Sequence, residues 1–94
     1  MLVLMATAEA KVEVKNRLGL HLRAASTLAQ ALKPFRASVT LTKDDHKANA
    51  KSVISLMTLG AALGTELIAK AEGDDAVAAV AAVEEAFGNR FGED

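Results

Sequence analysis

The 94-residue chain contains no cysteine, no tryptophan and no tyrosine. Without cysteine there is no disulfide framework, no thiolate zinc site and no cysteine nucleophile. That composition agrees with a cytoplasmic location. Aromatic residues make up 3% of the chain and are limited to Phe35, Phe87 and Phe91, too few to stack nucleic-acid bases. The formal net charge of -1 offers no basic face for a phosphate backbone, so no nucleic-acid partner is expected. The apolar run at the start, "MLVLM", is too short for a signal-peptide core or a bilayer span. No membrane insertion is expected.

What is present is a soluble, globular composition, 51% hydrophobic and 24% charged. The length suits a single domain over residues 1–94, with residues 1–9 as a short N-terminal extension. In "AKVEVKN" Val12 and Val14 alternate with Lys11, Glu13 and Lys15, the pattern of a half-buried strand. From Ala24 the period changes: Ala25, Leu28, Ala29 and Leu32 form one helical stripe, and Pro34 ends the helix near Lys33. Val39 and Leu41 alternate again, Asp44-Asp45 marks a turn, and residues 47–50 return as the second strand of a hairpin. Ser52 can cap a short helix that ends at Gly60, and "TELIAKA" reads as a further strand. A last helix from about Asp75 to Phe87 is predicted to bury Val77, Val80, Val83 and Phe87 and to stop at Gly88. The connections are too short for repeated parallel crossovers. The predicted fold class is therefore α+β, an open-faced βαββαβα sandwich whose four-stranded, mostly antiparallel sheet carries three helices on one face.

The chemistry concentrates in "GLHLRAAS", residues 19–26. His21 falls at or near the N-cap of the first helix, a place that favours Ser, Thr, Asp and Asn over His. A helix N-terminus offers unpaired N–H groups and the positive end of the dipole, and Arg23 adds a fixed cation with several donors. A cationic setting favours neutral, nucleophilic imidazole, and the same donors would stabilise a phosphoryl group carried by the ring. On spacing alone, a lone His beside an Arg at a loop–helix junction is more often a solvated surface pair. No carboxylate lies nearby in sequence to orient the ring, and no metal site is expected. His46, in the hairpin turn beside Asp44 and Asp45, reads as a surface residue.

"GLHLRAAS" resembles the active-site segment of the HPr family, the histidine-containing phosphocarriers of the bacterial phosphoenolpyruvate-dependent phosphotransferase system. "AKSVISLMTLGAALGTELIAKAEGDD" resembles the same family's segment around its regulatory serine, and the interval from His21 to Ser52 is also similar. The likeness covers roughly residues 10–90, and the family's open-faced sandwich is similar to the architecture read from periodicity. It implies that His21 is phosphorylated on Nδ1 by enzyme I and that Arg23 stabilises the phosphoryl group. It implies a regulatory phosphorylation position at Ser52, served in some bacteria by an HPr kinase/phosphorylase. It also implies that Val53 and Met57 touch enzyme I and the enzyme IIA components. Val53, Leu56 and Met57 make one apolar stripe on the short helix, with Ile54 and Leu59 pointing elsewhere, and Met suits a surface that meets several partners. This chain departs from the family pattern in three places: Ala24 replaces the proline after the arginine, Leu22 replaces a small or polar residue, and Ser55 replaces the glycine of kinase-regulated members. The function so implied is a phosphoryl carrier in sugar uptake or its regulation, used stoichiometrically rather than as an enzyme and needing no cofactor of its own. The alternative is a regulatory interaction module of the same fold with little or no phosphotransfer.

Overall fold

The computed structural model describes residues 6–93. Residues 1–5 of the expected extension lie outside the described residues. The element order is β1 (Thr7–Glu13), α1 (Leu22–Leu32), β2 (Ser38–Lys43), β3 (His46–Asn49), α2 (Val53–Met57), β4 (Glu66–Glu72), α3 (Ala76–Gly88) and a closing 3-10 turn, η1 (Arg90–Gly92). The chain thus forms the α+β sandwich read from its periodicity. The sheet order is β1-β4-β2-β3, with every neighbouring pair antiparallel.

One face of the sheet is covered by helices and the other meets solvent, which is what period-two alternation dictates. Ala10, Ala69, Leu41 and Ala48 are successive partners across all four strands, and Ala8, Ala71 and Val39 form the next row. Leu28 and Leu32 of α1, Leu56 of α2, and Val83 and Phe87 of α3 fill the space against them. A turn with Asp44 at φ 54° joins β2 to β3, and Lys43 pairs with His46 across it.

Two sequence expectations need correction. β1 begins at Thr7 rather than after residue 9, with Thr7 opposite Glu72. Its inward positions there are Ala8 and Ala10, which take a strand's pairing but give little hydrophobic signal. Val77 is not in the core: it is 71% exposed, because α3 turns Ala76, Ala79, Val80, Val83 and Phe87 inward. Alanines on that stripe let the helix lie close to an alanine-bearing strand, which a valine stripe would not. Ala29 of the α1 stripe is half-buried, while Ala24, Ala25, Leu28 and Leu32 are buried.

The link between α1 and β2 is pinned to the start of α3. The two carboxylate oxygens of Asp75 accept the Arg36 and Ala37 amides, each at 2.8 Å. Beside it Gly73 runs at φ 145°, and a Cβ there would come within 2.8 Å of Ala37 Cα. The bonds from Arg36 and Ala37 hold the Asp75 carboxyl below its ordinary value of 3.8. Its stabilising contribution is therefore complete above that value and is lost as pH falls through the lower folded-state value. Asp75→Asn, which leaves one amide without an acceptor, should melt at a lower temperature than wild type at neutral pH. Thermal melts repeated down to about pH 2 should show that gap closing.

Candidate functional site

The loop before α1 is built to hold one residue in place. Gly19 has φ 74°, and a Cβ on it would sit 2.5 Å from the carbonyl oxygen of Ala61. That close approach lets the Leu20 amide donate to the same carbonyl at 2.8 Å. Val14 is bonded to Thr65 and Gly64 in the same pair of segments. Asn16 is completely buried in the bend, where its Nδ2 donates to the Gly19 carbonyl at 2.7 Å. The next residue after Leu20 is His21, the N-cap of α1, with extended backbone at φ -80° and ψ -177°. Its carbonyl accepts from the Ala25 amide at 2.8 Å, and its Nδ1 accepts from the Arg23 amide at 3.4 Å. A ring nitrogen thus does what a Ser or Asp oxygen does at other caps. Leu18 and Leu22, on either side of His21 in the chain, are exposed apolar residues.

The other ring nitrogen meets a carboxylate that sequence reasoning missed. Nε2 of His21 lies 2.9 Å from both Oε1 and Oε2 of Glu93, across a sequence separation of 72. Asn16 Nδ2 donates to Oε1 of the same group at 3.0 Å, and Arg23 Nε stands 3.4 Å from Oε2. The bond from His21 is the main reason the Glu93 carboxyl lies below its ordinary value of 4.5; Asn16 and the Arg23 charge act in the same direction. No carboxylate lies near His21 in sequence, and the one that meets the ring in space comes from 72 positions away. Past α3 the chain turns through Arg90 at φ 55° and Phe91 at φ 54°, and brings Glu93 back over the loop. Phe91 is buried against Phe87, edge to face with centroids 4.8 Å apart, and this anchors the turn. Two of the chain's three aromatics four positions apart, the second beyond the helix stop, were the available signal.

The second feature is α2. Ser52 is its N-cap, and Oγ accepts from the Ser55 amide at 3.2 Å. Val53 is half-buried against the core and lines a groove with Ser26, Ala29, Lys33 and Lys51. Leu56 and Leu59 are buried, so the stripe expected from Val53, Leu56 and Met57 does not face solvent as a unit. The exposed apolar residues are Met57 at 44% and Ile54 at 79%. A helix this short turns only part of each side inward, and Ile54 falls on the outer one. Lys43 Nζ donates to the Leu59 carbonyl at 3.0 Å and closes the far end of the segment. His46 is exposed, as read from sequence, and its Nε2 is 2.9 Å from Thr58 Oγ1. It belongs to the hairpin and is not among the partners of Glu93.

Replacing Gly19 tests whether the loop positions His21. Gly19→Ala meets a positive φ and a backbone oxygen, so stability should fall by about 1–3 kcal/mol. Urea titration measures the loss, and the His21 ring resonances should move with it.

The sequence profile described as "PTS HPr component phosphorylation site" matches residues 8–89. Phosphocarrier protein HPr of Xylella fastidiosa (strain Temecula1 / ATCC 700964) is 40% identical over 92% of this chain and 97% of its own length. Phosphocarrier protein HPr of Treponema pallidum (strain Nichols) is 41% identical over 88% of this chain and 94% of its own. Among solved structures, HPr-C-His from Thermoanaerobacter tengcongensis superimposes with a TM-score of 0.88 at 37% identity, covering 93% of this chain and 98% of that one. No helix among the described residues is long and apolar enough to cross a membrane.

Proposed function

The chain belongs to the HPr family of phosphocarrier proteins, and on that premise we propose that His21 accepts a phosphoryl group from phosphorylated enzyme I and passes it to an enzyme IIA component. The observation that carries this reading is the seating of His21: Nδ1 faces the first amides of α1 while Nε2 is occupied by a carboxylate. Transfer requires the Nδ1 lone pair to attack phosphorus. The donor's bond to phosphorus breaks, and its electron pair leaves with the donor. Among the described residues, the amide of the exposed Leu22 has no hydrogen-bond partner, so it is available to the new phosphoryl oxygens. Arg23, with its side chain 76% exposed, can swing its guanidinium onto the same oxygens. The site of action is the cytoplasm.

Partners dock on the apolar surface of α2, through Val53 and Met57, and Ile54 extends that surface. Ser52 is the regulatory position. A phosphate there would sit at a helix N-terminus, which the fold tolerates, but would place about -2 charges beside an apolar contact that must be desolvated. A second reading, a regulatory module with little transfer, is favoured by Ala24 in place of the family proline.

Incubation with phosphoenolpyruvate and enzyme I, read by intact mass, separates the two. Wild type and His46→Ala should gain one acid-labile phosphoryl group, and His21→Ala none; incorporation into His21→Ala would remove the assignment. Arg23→Ala should slow transfer while stability stays within about 0.5 kcal/mol of wild type. Ser52→Asp and Met57→Glu should both weaken transfer from enzyme I. Ser52→Ala should lose about 1 kcal/mol of stability with docking retained.

A further inference from the structure

The two nitrogens of His21 are governed by different parts of the chain, and this determines which of them can act. We propose that Glu93, seated on Asn16, is a positioning residue that fixes the proton of His21 on Nε2 and leaves the Nδ1 lone pair as the phosphoryl acceptor. The inference rests on the carrier reading of His21 and deepens it.

An ionised carboxylate only accepts, so the ring nitrogen 2.9 Å from both of its oxygens must carry the hydrogen. A backbone amide only donates, so the nitrogen facing the Arg23 N–H must present its lone pair. Both ends specify the same neutral tautomer, and it is the one whose unprotonated nitrogen lies at the helix N-terminus, in a long bond of 3.4 Å to the Arg23 amide that an incoming phosphorus would displace. A carboxylate that orients an imidazole and settles its tautomer is the logic of the serine-protease triad, used here without a serine.

The carboxylate is itself held. The Glu93 side chain is only 14% exposed, and the completely buried Asn16 amide reaches both it and the Gly19 carbonyl. Phe91, packed on Phe87, fixes the turn that delivers it. Among the described residues, the other charged groups around the hollow are Arg23 and Arg17, both cationic, which favour the ionised carboxylate. When the Nδ1–P bond forms, the proton stays on Nε2 and the ring becomes a phosphoimidazolium cation. Glu93 then faces that positive charge. When the group moves on to an acceptor, the Nδ1–P bond breaks and its electron pair returns to Nδ1. The neutral tautomer is restored with no proton having moved. Glu93 therefore serves both halves of a carrier's cycle in one position.

The test begins on unphosphorylated protein without any donor. In wild type, nitrogen-15 spectra of the neutral ring should show a single tautomer, with the Hε2 proton in slow exchange with water. Glu93→Ala should lose the slow Hε2 signal and sample both tautomers, with an unchanged far-UV spectrum. Its phosphoryl transfer from enzyme I should slow on the order of tenfold. Glu93→Gln keeps an acceptor but not the charge, so it should retain the tautomer and transfer at an intermediate rate. An Ala variant with the wild-type tautomer and Hε2 exchange, or with the wild-type transfer rate, would overturn the proposal. So would a Gln variant that keeps the tautomer yet is as slow as the Ala variant, because charge alone would then be the effect. If wild type takes no phosphoryl group on His21, the carrier reading falls, and the tautomer spectra still decide whether Glu93 holds the ring.

Discussion

The fold depends on small residues meeting across the sheet–helix interface. β4 is a central strand, and its inward positions include Ala69 and Ala71, flanked by Ala10 and Leu41 and by Ala8 and Val39. α3 lays Ala76 and Ala79 into the core on this side of the sandwich. Alanine opposite alanine permits close approach of backbones and loses little side-chain entropy on burial. The bulk that fills the core then comes from a few large side chains, among them Leu28, Leu32, Leu67 and Phe87. In a core so divided, each large residue has few substitutes, and a methylene added at an alanine has nowhere to go.

This packing determines where the segment after α3 runs. α3 crosses the sheet beside α1 and finishes with Phe87 inward, so Phe91 can fold back onto it within one turn. From there Glu93 reaches the bend at Asn16 and the cap at His21. Three segments distant in sequence therefore converge on one imidazole: the loop pinned to Ala61 and Thr65, the first turn of α1, and the C-terminal turn. Each is held by a few specific bonds and not by a ladder. The geometry of the ring is thus separable from the stability of the sheet. α2, with its own cap at Ser52 and its own brace from Lys43, is a second locally determined unit.

The same distinction explains what could be read in advance. Val12, Val39 and Leu41 alternate, and Ala25, Leu28 and Leu32 recur at helical spacing; each pattern is local and each element followed. His21 and Ser52 could be placed at helix starts because caps are decided by adjacent residues. Val77 was misread because valine outweighs alanine in any hydrophobic count, whereas the interface selected the smaller residue. Ile54 was set aside because a stripe through Val53 and Met57 looked continuous, and one and a half turns of helix cannot show a period clearly. Glu93 had no local signature. Its role comes from a contact across 72 positions and from a turn with two non-glycine residues at positive φ, neither of which a periodicity can encode.

The departure at Ala24 bears on how the ring is held. Proline in the first turn of a helix fixes φ and removes an amide that would otherwise lack a partner. Alanine gives up that rigidity and keeps the N–H, which among the described residues has no hydrogen-bond partner. The rigidity has other sources here. Leu20 is tied to Ala61 immediately before His21, Gly19 permits that approach, and Glu93 grips the ring from the side away from the helix. A histidine constrained at its backbone and at Nε2 has little freedom left at Nδ1, whatever residue follows Arg23. The additional amide adds its dipole to the positive end of α1, the end at which a negative phosphoryl group would be carried, while Ala24 itself stays buried. Read physically, Ala24 moves the constraint on His21 from the helix to the chain's C-terminal turn, so loosening that turn would reach the ring without disturbing the helix.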